Sequence, residues 1–126
     1  MTSIIGIVTR GTGTAGGTLG AILSEISNKS GLAGLLPRTL NLQLEQPFSV
    51  VPDFCVRYQS PVGHEEYRFQ KCQIFDLPCL IMRTSTNTHG DSVIEVMAEV
   101  QLRDALNLSD GDTVTVSISE PRTLEQ

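Results

Sequence analysis

The chain has 126 residues and a mass of 13.7 kDa, with 40% hydrophobic and 18% charged residues and a net charge of −5. That is enough apolar sequence to build one core without covalent staples, which excludes a disordered segment and leaves a single domain over residues 1–126. The acidity excludes a generally basic nucleic-acid binder, and a chain with no Trp, two Tyr and four Phe offers no stacking surface for single strands.

No stretch approaches the ~18 apolar residues of a membrane span, and the start of the chain has neither the basic segment nor the apolar length of a signal peptide. The expectation is a cytoplasmic protein with no membrane partner. Cys55, Cys72 and Cys79 form no C-x-x-C, and His64 and His89 stand far apart. No zinc site is therefore expected, and the thiols read as small buried or half-buried side chains.

In chain order, the β-branched run Ile4, Ile5, Ile7 and Val8 predicts a strand over about 3–9. A glycine-rich turn, 11–17, follows. Leu19, Ile22, Leu23 and Ile26 then fall on one helical stripe, with Thr18 as its expected N-cap and Asn28 and Gly31 as stop signals. Residues 39–44 alternate strictly, with Leu40, Leu42 and Leu44 on one face and Thr39, Asn41 and Gln43 on the other. Strands are expected around 54–58, 66–75 and 79–82. A polar, Thr-rich loop is expected over 83–91. Val93–Met97 returns to strand, 99–107 suits a short helix, and Val114, Val116 and Ile118 face inward on a last strand. Strands do not alternate with helices after residue 44, so a small, mainly antiparallel β-barrel is expected rather than a doubly wound parallel sheet.

Three places carry chemistry. Gly11-x-Gly13-x-x-Gly16 follows a strand and opens a helix, the context in which backbone N–H groups and a helix N-terminus hold a phosphate, and Arg10 adds a cation. A dinucleotide domain does not follow, because no acidic residue stands about 20 positions further on and Glu45 lies too far along. Thr39 and Asn41, two apart on one strand and so ~7 Å apart at Cα, point the same way. They can share a hard cation with phosphate oxygens and water, or simply form an ordinary polar outer face. Glu95, between Val93 and Met97 on one strand face, is either a partly desolvated carboxylate able to act as a base or a solvated surface group. The loop before it, with Thr84, Thr86, Asn87 and Thr88, offers uncharged hydrogen-bonding groups.

Taken in order, the strand, the G-x-G loop, "P-x-T-L-N" at 37–41, the Thr-bearing loop, "I-E-V-x-A" at 94–98 and "L-R-x-x-L-x-L-x-D-G-D" at 102–112 resemble the CTP-dependent riboflavin kinase family, typical of archaea. The resemblance runs from about residue 4 to residue 119. It implies a six-stranded closed Greek-key, cradle-loop barrel. It also implies phosphoryl transfer from CTP to riboflavin, giving FMN and CDP, with Mg²⁺ as cofactor.

On that resemblance, Thr12, Gly13, Thr14, Ala15, Gly16 and Gly17 match the nucleotide-binding loop, and Val100, Gln101, Leu102 and Arg103 a second nucleotide-contacting segment. Thr39 and Asn41 match the magnesium ligands. Glu95 matches a flavin-contacting glutamate and is the candidate catalytic group. The flavin-contacting threonine falls at Thr86 or Thr88, with Thr86 preferred. Ala15, Arg38 and Glu99 depart from the pattern, standing where the family has two glycines and a proline. The alternative to a kinase is a non-catalytic flavin- or nucleotide-binding protein of the same family. A DNA-associated regulator is disfavoured, with neither a helix-turn-helix nor a basic face in the sequence. A monomer or weak homo-oligomer is expected. The charge is unevenly divided: residues 1–38 carry three basic residues against one acidic, and residues 39–126 carry six against thirteen. The positive portion is the one leading from the glycine loop to Thr39, where a nucleotide would bind.

Overall fold

The computed structural model describes residues 2–10, 16–60, 63–85 and 90–118. Its elements are β1 (Thr2–Thr9), α1 (Gly16–Ser30), β2 (Leu40–Leu44), β3 (Phe54–Ser60), β4 (Gly63–Ile74), β5 (Leu77–Thr84), β6 (Val93–Ala98), α2 (Leu102–Ala105) and β7 (Thr113–Ile118).

The strands form one antiparallel sheet in the order β3-β4-β5-β6-β2-β1-β7, and a further pairing of β4 with β7 closes six of them into a ring. β3 stands outside the ring, paired to the first half of β4. The long strand β4 makes this possible by changing partners: Phe69 still pairs with Phe54 of β3, whereas Gln73 and Ile74 pair with Ser117 and Val116 of β7. The expected mainly-β fold with short helices is therefore present.

Strict alternation explains what fills the ring. Leu40, Leu42 and Leu44 point inward with Val114, Val116 and Ile118, joined by Val8, Ile74, Ile81, Ile94 and Val96. Gly6 belongs to this inner face, where a Cβ would come within 2.7 Å of the Leu42 Cβ, so the close approach of β1 to β2 requires glycine. The helical stripe Leu19, Ile22 and Ile26 lies on the outside of the ring, over Val56, Tyr67, Phe69, Leu80, Met82 and Met97. β5 is thus covered on both faces. That explains why residues 79–82 read as a continuous apolar run without alternation.

Some elements differ from expectation. α1 begins at Gly16, which puts Thr18 inside the first turn instead of at the N-cap. The polar stretch expected over 83–91 begins later, because Arg83 and Thr84 continue β5. The helix expected over 99–107 is one turn, Leu102–Ala105.

Candidate functional site

The ladder sets one row of residues across the outer face of the sheet. Thr9 of β1 pairs with Asn41 of β2, Asn41 with Glu95 of β6, Glu95 with Met82 of β5, and Met82 with Phe69 of β4. Two candidate places that lie 56 residues apart in sequence thereby become one. The Thr39 hydroxyl donates to Glu95 Oε1 at 3.0 Å and lies 3.5 Å from Asn41 Oδ1. Asn41 is not on an ordinary solvated face: it is only 6% exposed. Glu95 and Thr39 are half-buried. Three oxygen donors converge here, Asn41 and Glu95 from paired ladder positions and Thr39 from the residue just before β2.

Their spacing suits a small hard cation. Two ligands at right angles on an octahedral ion with bonds of about 2.0–2.1 Å stand about 3 Å apart, close to the separations of Thr39 Oγ1 from its two neighbours. The donors are a hydroxyl, an amide oxygen and one carboxylate. Among the described residues no group of three or more His, Cys, Asp or Glu is placed to hold a metal. A cation here would therefore need further oxygens from a phosphate or water.

A second cluster adjoins this row at Thr9. Arg103 donates to the Thr9 carbonyl at 3.3 Å and to Asp110 Oδ1 at 2.6 Å, and Arg10 Nε stands 4.0 Å from Asp110 Oδ2. The Asp110–Asp112 turn is laced to the end of β1 by Gly111 N–H to Val8 O and Val8 N–H to Asp112 O, both 2.8 Å. Arg103 therefore sits where β1 leads into the glycine-rich segment. Of its neighbours, Leu102 buries its side chain in the core, leaving only its backbone for a ligand, while Val100 is exposed. Gln101, with its amide nitrogen turned to the Asp104 carboxylate, accepts from Arg38 Nη1 at 3.2 Å. Arg38 is thus held toward the 100–103 segment. Glu99 accepts the Gly34 N–H at 2.9 Å and so ties the 31–38 loop to the end of β6. Two of the three departures from the family pattern thus have structural partners of their own.

Sequence reasoning missed two residues. Tyr67 lies under the start of α1, hydrogen-bonded to Glu65 and Thr18 and within electrostatic reach of Glu95. Burial first, then the hydrogen bond and negative charge of Glu65, push its phenol up to about 12, so it stays protonated. Arg83, 12% exposed in its side chain, donates to the carbonyls of Phe48, Asp91 and Val93. Burial lowers its pKa and Asp91 opposes that. It pins the 45–53 segment against the stretch leading into β6. Neither role has a local signature, because both depend on which strand lies beside which.

Thr12, Gly13, Thr14, Ala15 and Thr86 lie outside the described residues. Gly16 and Gly17 open α1.

Residues 24–118 match the CTP-dependent riboflavin kinase domain family, described as a domain of unknown function, DUF120. The chain belongs to this family. Among curated proteins it is 33% identical over 94 residues to a riboflavin kinase of Methanocorpusculum labreanum, covering 65% of this chain and 41% of that one. It is 33% identical over 94 residues to a riboflavin kinase of Pyrobaculum aerophilum, covering 65% of this chain and 43% of the other. It is also 37% identical over 54 residues to a riboflavin kinase of Methanoregula boonei, covering 43% and 24%. The aligned part is less than half the length of these relatives.

Proposed function

We propose that this chain is a riboflavin kinase domain that transfers a phosphoryl group from CTP to riboflavin, giving FMN and CDP with Mg²⁺ as cofactor. The observation that carries the reading is the Thr39–Glu95 hydrogen bond, which joins "T-L-N" and "I-E-V" into one oxygen-lined site beside Arg103. Membership of the kinase family supports the substrate class.

Phosphoryl transfer asks a protein mainly for positioning and for neutralisation of phosphate charge. Thr39 and Asn41 would hold Mg²⁺, which would supply positive charge to offset that of the phosphates. Arg103, at the end of β1, and Arg38, held to Gln101, would supply cationic donors to the phosphates. Glu95 accepts from Thr39 through Oε1, which fixes the carboxylate. Its Oε2 is then left to orient the attacking hydroxyl and take its proton. The backbone of 12–17 would cradle the phosphates, and Thr86 would hold the flavin.

The test is to incubate the purified chain with riboflavin, Mg²⁺ and either CTP or ATP and to measure FMN. FMN formed with CTP and not with ATP is the expected result. Saturable flavin binding without turnover would instead make this a binding protein of the family, and binding of neither ligand would refute the site.

A further inference from the structure

The Thr39 hydroxyl has one proton, and two acceptors stand near it: Glu95 Oε1 at 3.0 Å and Asn41 Oδ1 at 3.5 Å. Which of them receives the proton matters to a cation, because a hydroxyl has a single donor and binds metal only through its lone pairs. A proton turned to Asn41 would occupy the amide oxygen that the cation needs. A proton turned to Glu95 leaves the oxygens of Thr39 and Asn41 both bare. Distance favours Glu95, since O–H···O bonds ordinarily span about 2.5–3.0 Å. Charge favours it too, since a bond to a carboxylate is roughly twice as strong as one between neutral groups.

The fold sets Glu95 up for this task. β6 pairs with β2 so that Glu95 lies opposite Asn41. The register of that pair starts at Leu40–Val96, one residue after Thr39. The side chain of Thr39 is therefore tied to β6 by its hydrogen bond to Glu95. Thr39 and Glu95 are half-buried and Asn41 is buried, so water competes weakly for these groups.

We propose that Glu95 is a positioning residue for the cation: by accepting the Thr39 proton through Oε1, it leaves the lone pairs of Thr39 and Asn41 free for their shared site. This rests on the kinase reading and adds to it. In that reading Oε2 faces the attacking hydroxyl; Oε1 governs how firmly the cation is held. One carboxylate then serves both. Hydrogen-bond partners of metal ligands are typically worth about 10–100-fold in metal affinity.

The test is Mn²⁺ binding, because Mn²⁺ takes the same hard oxygen donors as Mg²⁺ and is followed by its EPR signal. The full chain is titrated with Mn²⁺ in the presence of CDP and compared with CDP alone. Glu95→Gln, equal in shape but uncharged, should weaken binding about 10-fold or more. Thr39→Val, which keeps the shape and removes the hydroxyl, should weaken it at least as much. The decisive protein carries both changes. Because Glu95 acts through the hydroxyl, the double variant should bind within about 2-fold of Thr39→Val alone, whereas independent effects would add. Losses that multiply would make Glu95 an independent charge and overturn the proposal. So would unchanged binding in Glu95→Gln where Asn41→Ala loses it, a result that leaves the metal site standing. Unchanged binding in every variant, Asn41→Ala included, or no binding by the unsubstituted chain, would instead refute the metal site itself and this role with it.

Discussion

The β4–β5–β6 side of the ring and the β1–β7 side share the same inner core but have opposite exteriors. Outside β4, β5 and β6 the helix α1 lays down a second apolar layer with Leu19, Ile22 and Ile26. Outside β1 and β7, Ile5 and Ile7 are 60% and 46% exposed and Thr113 and Thr115 are open to solvent. The row from Thr9 through Asn41 and Glu95 to Met82 and Phe69 crosses the border between the two. At that border polar side chains are partly covered yet remain approachable. That suits groups that must be held rigidly and still meet a ligand.

Substitutions along this border should separate the two sides. Asn41→Ala should lower FMN formation at least ~100-fold, on the scale of losing one transition-state electrostatic contact, while thermal unfolding shows the fold retained. Near-normal turnover would remove Asn41 from the metal site. On the covered side, Leu19→Ala should cost about 2–5 kcal/mol of stability by denaturant unfolding, because Leu19 is fully buried between helix and sheet. At the inner wall of the bare side, Gly6→Val should cost about 1–3 kcal/mol by overpacking against Leu42.

Tyr67→Phe tests the border through pH. The folded phenol titrates at about 12, above the ordinary 10.0 of an unfolded tyrosine. Its contribution is intact below pH 10 and is lost as pH rises through 12, because the unfolded chain releases its proton first. The Phe variant should lack that alkaline loss in melting curves taken across this window. The smallest effect belongs to the bare side: Ile7→Thr should change stability by no more than about 0.5 kcal/mol. A larger loss would mean that this face is covered in solution.

The two exteriors also explain what could be read from the residues alone. Leu40, Leu42 and Leu44 announced their strand and its inward face because one side of β2 meets the core and the other carries the polar Asn41 and Gln43. Leu19, Ile22 and Ile26 announced a helix for the same reason. The apolar run at 79–82 hid its facing, since both sides of β5 are covered. Thr39, Asn41 and Glu95 were visible as separate candidates, and resemblance to a family put them together. Their hydrogen bond depends on the pairing of β2 with β6 across 56 positions, which no local pattern encodes. Tyr67 and Arg83 escaped notice because a tyrosine or an arginine in a strand is ordinary until its neighbours from other strands are known.

The closure of the ring has a consequence for how the chain reaches this state. The first strand hydrogen-bonds to the last, Thr2 opposite Ile118, and the remaining seam rests on Gln73 and Ile74 against the same β7. Neither seam can form while the chain is still being made short of residues 113–118. Until then β1 lacks one neighbour and the hydrophobic interior stays open along one side. Such long-range pairing places folding among the slower, millisecond-to-second class of small β proteins. It also makes the nascent chain most exposed to aggregation just before its last strand arrives.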